Sequence, residues 1–389
     1  MRLPHMPDKI LSNKNILIIS PQYWGNVLLS KHHYALALES RGNTVYFLNP
    51  VNMQETGWRK SIRIFQPIKG KNIFVVEHKL FFPFQVKFHW NGLFQTLMRL
   101  HIGHLQKKMD VRFQILWSFD IGNFFRLKHF LIPLKIFFPV DEPLNKAAIA
   151  SADDADIVFS VTSEILSKYD HLPVPKVLIG HGVAEDFLEH SEGVEEPRAI
   201  ENAGISGNLT RKDIDWPILF KIIEDHPEIK FNFWGPYRAV DSNIGGIASE
   251  EVVTNISRLR KLDNVILHGV ISTAELARAY RQMDVFLICY DVNKDQSKGT
   301  NYHKVLEFLS TGKVIVSNNI TSYSGTGLVE MLEERSTNTA LPALFNEVIK
   351  FPGKYNSNTL QMKRKRFASD NTYLKQVNKI ELALNKLQG

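Results

Sequence analysis

The chain has 389 residues, of which 44% are hydrophobic and 22% are charged. This composition is typical of a globular protein, and the length exceeds one ordinary core, so we expect two domains. The single cysteine excludes a disulfide framework and a zinc site built from cysteines. No apolar segment reaches the roughly 18 residues of a membrane span, and the first residues lack the apolar core of a signal peptide. We therefore expect a cytoplasmic protein, either soluble or peripheral at the inner face of the membrane.

The net charge of +7 is unevenly distributed along the sequence. Residues 1–140 contain 19 Lys and Arg against 6 Asp and Glu, a net +13, whereas the remaining residues contain 28 against 34, a net −6. A basic half joined to a mildly acidic half predicts an anionic partner for the basic half. Anionic lipid, a phosphate-bearing acceptor and nucleic acid all have the required charge.

The first elements predict a βαβ unit of a Rossmann-like domain: a buried strand at residues 15–20, a helix at 30–40 and a strand at 44–48. The loop after the first strand has a single glycine instead of the dinucleotide fingerprint, which disfavours a nicotinamide or flavin enzyme. Ligands of such sheets bind beyond the carboxyl ends of the strands. We therefore expect the acceptor-side loop residues Trp24, Gly25 and Asn26 to face a cleft.

Two residues of the first half are candidates for a general base. The predicted strand 135–140 runs directly into Asp141, and a carboxylate at the carboxyl end of a parallel strand lies where a base is needed. A helix cap is the alternative role of this aspartate. His33, in the predicted helix 30–40, is the second candidate, with capping or packing as its alternative.

Aromatic and basic residues alternate between Lys79 and Lys108, and residues 92–108 predict a helix with leucines on one face and cations on the other. Such a surface can rest on a bilayer that contains anionic lipids. The alternative is an ordinary helix that faces the core and has a solvated basic side. His101 and His104 have no carboxylate nearby and make a poor metal site.

The second half repeats the pattern, with predicted strands at residues 198–206, 230–234, 265–270 and 284–290. Turns at successive strand ends can bring backbone N–H groups and cations to a diphosphate. The candidate donor-binding residues at these ends are Gly207, Asn208, Arg211, Lys212, Gly235, Pro236, Val270 and Tyr290.

The next predicted helix, residues 302–310, carries Lys304 and Glu307 on one face near its N-terminus. A lysine at that position suits a phosphate, and a carboxylate beside it suits hydroxyl groups such as a ribose diol. A solvated ion pair on the surface of an amphipathic helix is the alternative.

The order of these segments resembles the GT-B-fold glycosyltransferases, in particular the nucleotide-sugar-dependent group that builds bacterial polysaccharides. The likeness is most specific over residues 264–270, 284–288 and 304–317. It implies two Rossmann-like, doubly wound α/β domains that face each other across a cleft, with a C-terminal helix that packs back on the first. It also implies that Glu307 holds the ribose hydroxyls, that Lys304 meets the phosphates, and that the backbone near Val270 faces the base.

The resemblance has two departures. Many members carry an earlier glutamate, where this chain has Gly299, and a proline before the lysine, where it has Tyr302 and His303. Both departures fit the inverting relatives better than the retaining branch that uses a pair of glutamates. We expect an acceptor-side domain over residues 1–190, a donor-binding domain over 191–365, and a C-terminal helix over 366–389.

The sequence therefore predicts an enzyme that transfers a sugar from a nucleoside diphosphate sugar, foremost a UDP-sugar, to a hydroxyl of a lipid-linked or polysaccharide acceptor. No metal is expected, since no Asp-x-Asp signature stands at a strand end. We also expect no further cofactor, because the nucleoside diphosphate sugar is a substrate, and no nucleic-acid partner. Two alternatives remain: a nucleotide-sugar epimerase of the same fold, and a non-enzyme that binds nucleic acid or membranes.

Overall fold

The computed structural model describes residues 9–57, 61–189, 193–238, 249–295, 297 and 299–388. Its internal contacts divide the chain into two compact units. The first unit comprises Met1–Trp24, Leu28–Gly180 and Tyr373–Gly389, and the second comprises Gly25–Val27 and His181–Thr372. The predicted boundary between residues 190 and 191 lies outside the described residues. The chain passes from the first unit to the second after Gly180, ten residues before the predicted boundary, and returns to the first unit after Thr372.

The first unit is built on a mostly parallel sheet. Its strands are β1 (Asn15–Ile19), β2 (Thr44–Leu48), β3 (Asn52–Thr56), β4 (Ile62–Phe65), β5 (Ile73–Leu80), β6 (Ile115–Ser118), β7 (Leu134–Phe137), β8 (Ile157–Ser160) and β9 (Lys176–Leu178). The strand order is β3-β5-β2-β1-β6-β7-β8-β9, and β4 pairs antiparallel with β5. Continuous apolar runs such as β1 are buried on both faces, as a parallel sheet between helices requires. The helices are α1 (Ser30–Glu39), α2 (Val86–His89), α3 (Asn91–Met109), α4 (Lys146–Ile149) and α5 (Ser163–Ser167).

The second unit contains a smaller sheet of described strands, all of them parallel. They are β10 (Asn202–Ser206), β11 (Lys230–Trp234), β12 (Val265–Gly269), β13 (Val285–Ile288), β14 (Val314–Ser317) and β15 (Glu330–Met331). Their order is β12-β11-β10-β13-β14-β15, so the chain reverses direction across the sheet beside β10. The helices are α6 (Trp216–Asp225), α7 (Glu250–Leu259), α8 (Thr273–Tyr280), α9 (Lys304–Ser310), α10 (Leu341–Lys350), α11 (Pro352–Tyr355) and α12 (Asn358–Ser369).

The last helix, α13 (Tyr373–Gln388), packs on the first unit, as predicted. The ring of Tyr373 lies 5.2 Å from that of Tyr34 on α1, and Glu381 forms an ion pair with Arg41. The prediction of one continuous C-terminal helix is wrong, since α12 and α13 are separate. Thr372 lies between α12 and α13 and forms a β-bridge with Val183, so the backbone there does not continue the helix.

Among the described helices, none is long and apolar enough to cross a membrane.

Candidate functional site

Lys304 is the centre of the site in the second unit. It is the first residue of α9 and its side chain is buried. Its Nζ donates a hydrogen bond to the carbonyl oxygen of Ser206, the last residue of β10, and another to Tyr290 Oη at 2.5 Å. Tyr290 follows β13, the neighbour of β10 in the sheet. One ammonium group is therefore fixed between the carboxyl ends of two adjacent strands.

Two glycine turns pack against each other next to this lysine. Gly207 has φ +143°, and a Cβ at that residue would lie 2.5 Å from Lys304 Nζ and 2.9 Å from Tyr290 Oη. Gly235 has φ +127°, and a Cβ there would lie 2.0 Å from the Gly207 carbonyl oxygen. Pro236 joins the two turns by accepting a hydrogen bond from the Leu209 amide at 2.9 Å. Glycine is required at both turns for space as well as for backbone conformation.

Glu307 lies one helical turn after Lys304, and its side chain is partly buried. Burial raises the pKa of this carboxyl to about 7, although the nearby Lys304 charge opposes the shift. Within the described residues, no hydrogen bond is donated to its carboxylate oxygens. A carboxylate with unused acceptor capacity beside a buried lysine is suited to a ligand that carries both hydroxyl groups and negative charge.

Arg211 has a different environment from the one expected of a free phosphate ligand. Its guanidinium forms ion pairs with Asp213 and, at 3.1 Å, with Asp295, and it lies 4.9 Å over the Tyr290 ring. Asp295 is buried and also accepts a hydrogen bond from Tyr302 Oη at 2.6 Å. Asp213 and Asp295 therefore both form ion pairs with Arg211, and these pairs link the loop after β13 to the loop after β10.

The remaining candidates of the second unit lie around these groups. Asn208 Oδ1 accepts hydrogen bonds from the Thr210 amide and hydroxyl at 2.9 and 2.7 Å, which shapes the loop after β10. Lys212 is exposed, and Val270, directly after β12, is partly exposed. A pocket at the strand ends is lined by Ser206, Gly207, Asn208, Leu209, Ile214, Cys289, Tyr290 and Lys304, among others.

Cys289 is buried in the wall of this pocket, and burial raises the pKa of its thiol well above the ordinary value. The raised pKa keeps this thiol protonated, so it is a poor nucleophile.

The acceptor-side candidates of the first unit are placed as follows. Asp141 comes shortly after β7, is 58% exposed at its side chain, and forms an ion pair with the buried Lys31 at 3.2 Å. The ring of His33 stacks on that of Tyr373 at 4.9 Å, which gives it the packing role considered above. Trp24 contacts the ring of His32 edge-on at 5.1 Å.

Gly25 and Asn26 belong by their contacts to the second unit rather than the first. They therefore group with a different unit from Trp24, although the three residues are consecutive.

The sequence analysis missed the Asp295 network. Asp295 stands in the polar loop before α9, and its partner Arg211 is 84 residues away in the sequence. The only local signal is the short spacing to Ser297, Gly299 and Tyr302, whose polar groups all bond to this carboxylate.

No protein-family model and no curated protein matches the sequence. Solved structures do match the fold over nearly the whole chain. The E. coli trehalose-6-phosphate structure bound with UDP-2-fluoro glucose has a TM-score of 0.67 at 12% identity, covering 95% of this chain and 99% of that one. Sucrose-phosphate synthase from Thermosynechococcus elongatus has a TM-score of 0.65 at 11% identity, with the same coverage of each chain.

Anabaena Alr3699/HepE in complex with UDP and glucose has a TM-score of 0.62 at 14% identity, again covering 95% and 99% of the two chains. The protein has the GT-B fold. This confirms the predicted fold class, and within that fold the lysine, glutamate and glycine turns described above all belong to the second unit.

Proposed function

We propose that this GT-B protein is a glycosyltransferase that moves a sugar from a nucleoside diphosphate sugar, foremost a UDP-sugar, to a hydroxyl of a lipid-linked or polysaccharide acceptor. The observation that carries the proposal is the fixed Lys304 ammonium between the ends of β10 and β13, with the Glu307 carboxylate one turn further along α9. The structural neighbours described with UDP-2-fluoro glucose and with UDP and glucose support this class of donor.

Each group of the site has a role in this reaction. Lys304 offsets the negative charge that develops on the leaving diphosphate, and it needs no rearrangement because two hydrogen bonds already orient it. The missing side chain at Gly207 leaves room for the lysine and brings backbone close to it. Glu307 accepts hydrogen bonds from the ribose hydroxyls, which favours its ionised form. Asp141 is the general base that takes the proton of the acceptor hydroxyl.

A thermal-shift screen of nucleoside diphosphates and nucleotide sugars tests the proposal, because a ligand that binds only the folded state raises the melting temperature. We expect selective stabilisation by one nucleoside diphosphate and its sugars, and loss of that stabilisation in Glu307→Ala. If no nucleotide stabilises the protein, or if Glu307→Ala responds like the wild type, the donor site is misassigned. Turnover of the donor without any acceptor would instead indicate an epimerase.

A further inference from the structure

One surface of the first unit combines exposed apolar side chains with cations, and we call it the α3 outer surface. Its apolar members are Phe88, Trp90, Leu93 and Leu100, and its basic members are Arg99, His104, Lys107 and Lys108, all of them exposed. Phe88 and Trp90 are 69% and 66% exposed, which is far above what a core or packing role would give them. Large exposed aromatic side chains two residues apart in the sequence indicate an interaction surface.

The helix α3 presents this surface because its other face is fully used by the core. Phe94, Met98, Ile102, Leu105 and Met109 are buried, and their spacing of three to four residues places them on one side of the helix. The exposed Leu93 and Leu100 are seven residues apart and so share the opposite side with Lys107. The leucines of α3 are therefore divided between two faces.

This division corrects the sequence prediction that all the leucines lie on one face of the helix. Apolar contact with the core is complete without Leu93 and Leu100. Leu93 and Leu100 are therefore exposed on the outer face, beside the basic residues, and are not needed for packing against the core.

Along α3, the apolar and basic groups overlap only in the middle, at Arg99 and Leu100. Phe88 in α2, Trp90 just before α3 and Leu93 in its first turn lie at one end, whereas Lys107 and Lys108 lie in the last turn. With 19 residues, the helix is roughly 28 Å long. The surface is therefore long enough to insert apolar groups at one end while cations contact a charged plane along the rest.

The neighbouring turn at residues 126–131 extends the surface. Leu131 is 90% exposed and Lys128 is exposed. Burial lowers the pKa of the His129 imidazole, and the charges of Lys128, Arg126 and Arg99 act in the same direction, while Asp154 opposes them. Arg99 of α3 therefore lies close to the cations of this turn, with Asp154 also nearby.

Acidic side chains are almost absent from this part of the sequence. Between residues 79 and 140 there are nine Lys and Arg but only Asp110 and Asp120 as acids, and Asp120 is buried. Lys87 is the basic residue here that turns inward, with its Nζ bonded to the Gly122 carbonyl and 3.7 Å from the Phe124 ring centroid. Arg99, Lys107 and Lys108 are exposed, and Asp110 is the one acidic residue within ten positions of them in the sequence.

We propose that the α3 outer surface docks on a bilayer that contains anionic lipids, with Phe88, Trp90, Leu93 and Leu131 entering the interface and the cations contacting lipid phosphates. Aromatic side chains favour the boundary between headgroups and acyl chains, and each basic residue near an anionic leaflet adds attraction. Nucleic acid would match the charge and its bases could stack on the aromatic rings, but it would leave the exposed aliphatic Leu93 and Leu131 without a favourable contact. The exposed apolar side chains therefore favour a bilayer over nucleic acid as the partner of this surface.

Vesicle flotation of the full chain is the direct test. The probes are vesicles of phosphatidylcholine alone and vesicles of phosphatidylcholine mixed with phosphatidylglycerol, at low and high salt. We expect the protein to float with the anionic vesicles at low salt and to be released at high salt, because exposed charges are screened. A blue shift of tryptophan fluorescence that Trp90→Phe abolishes would place this side chain in the interface. Absence of flotation with anionic vesicles would overturn the proposal.

Two sets of variants distinguish this surface from a general effect of positive charge. Arg99→Gln combined with Lys107→Gln and Lys108→Gln is expected to lower partitioning roughly hundredfold, from the attraction contributed by three cations. The matched control changes three exposed lysines of the second unit: Lys230→Gln, Lys261→Gln and Lys350→Gln. Equal losses in the two sets would overturn the assignment to α3.

The apolar part is tested with Phe88→Ser and Trp90→Ser, which keep the charge and should lower partitioning roughly tenfold or more. Stronger binding of the wild type to duplex DNA than to anionic vesicles, lost in the Arg99, Lys107 and Lys108 variant, would identify nucleic acid as the partner and overturn the bilayer. The inference does not rest on the proposed donor site. Nucleotide-dependent stabilisation of the same variants reports on that site separately.

Discussion

The side chain of Lys304 occupies the space that a side chain at residue 207 would fill. A Cβ built on Gly207 would lie 2.5 Å from Lys304 Nζ, closer than any non-bonded carbon can approach. The Gly207 backbone thus packs directly against the Lys304 side chain, although the two residues are 97 positions apart in the sequence.

Gly207→Ala should weaken binding of a nucleoside diphosphate about tenfold or more, because displacement of Lys304 loses a charge-assisted hydrogen bond of roughly 1.5–3 kcal/mol. Isothermal titration calorimetry with UDP measures this directly. The control is Gly325→Ala, because Gly325 also has a positive φ of +70° but has open space around its Cβ position. Equal UDP affinity in the two variants would contradict a role of the Gly207–Lys304 contact in donor binding.

The pKa of Glu307 predicts how donor binding depends on pH. Ribose hydroxyls donate to the ionised carboxylate, while burial keeps much of this group protonated below about pH 7. Affinity for UDP should therefore increase as the pH rises from about 6 to about 8, and binding should release a proton. Calorimetry in two buffers of different ionisation enthalpy measures that release. A flat pH profile in the wild type, identical to that of Glu307→Gln, would contradict the assigned role.

The same carboxyl affects the stability of the unliganded protein in the opposite direction. Its pKa is raised from 4.5 in the unfolded chain to about 7 in the folded one, so the folded state binds more protons between these values. The free energy of unfolding should consequently fall by at most about 3 kcal/mol as the pH rises from 4.5 to 7. Glu307→Gln should remove that component of the slope in denaturant titrations.

The sequence predicted most of the second sheet because its strands are continuous apolar runs that end in glycine or polar turns. Residues 230–234 were predicted at the bounds of β11, and the strand-end rule brought Gly207, Tyr290 and Lys304 to one place. In the first unit, residues 44–48 were predicted at the bounds of β2 for the same reason.

The strands β3, β4 and β5 were not predicted from the sequence. β5 contains Glu77 and Lys79 at partly exposed positions, so it lacks the continuous apolar run of a central strand. The antiparallel pairing of β4 with β5 also departs from the alternation of strands and helices expected of a doubly wound sheet. Likewise, the ion pair of Arg211 with Asp295 arises from tertiary contact that no local pattern indicates.

Arg211 is expected to act mainly through the stability of the second unit. Arg211→Ala leaves the buried Asp295 carboxylate without its cationic partner, which should cost about 3–5 kcal/mol in the free energy of unfolding. Thermal unfolding without ligand measures this loss. Arg211→Ala combined with Asp295→Asn should recover part of it, because the amide removes the unpaired charge. A residue that only bound diphosphate would instead lose UDP affinity with unchanged stability.

Asp141→Asn should lower the turnover number roughly 10²–10⁴-fold, because an amide cannot accept the acceptor proton. Donor affinity should stay at the wild-type value, since the donor candidates belong to the second unit. Loss of the half-exposed ion pair with Lys31 should change the free energy of unfolding by no more than about 1 kcal/mol. The matched control is Glu142→Gln, which removes the adjacent carboxylate and its pairing with Lys168. If both variants lose turnover equally, or if Asp141→Asn keeps full activity, a different residue acts as the base.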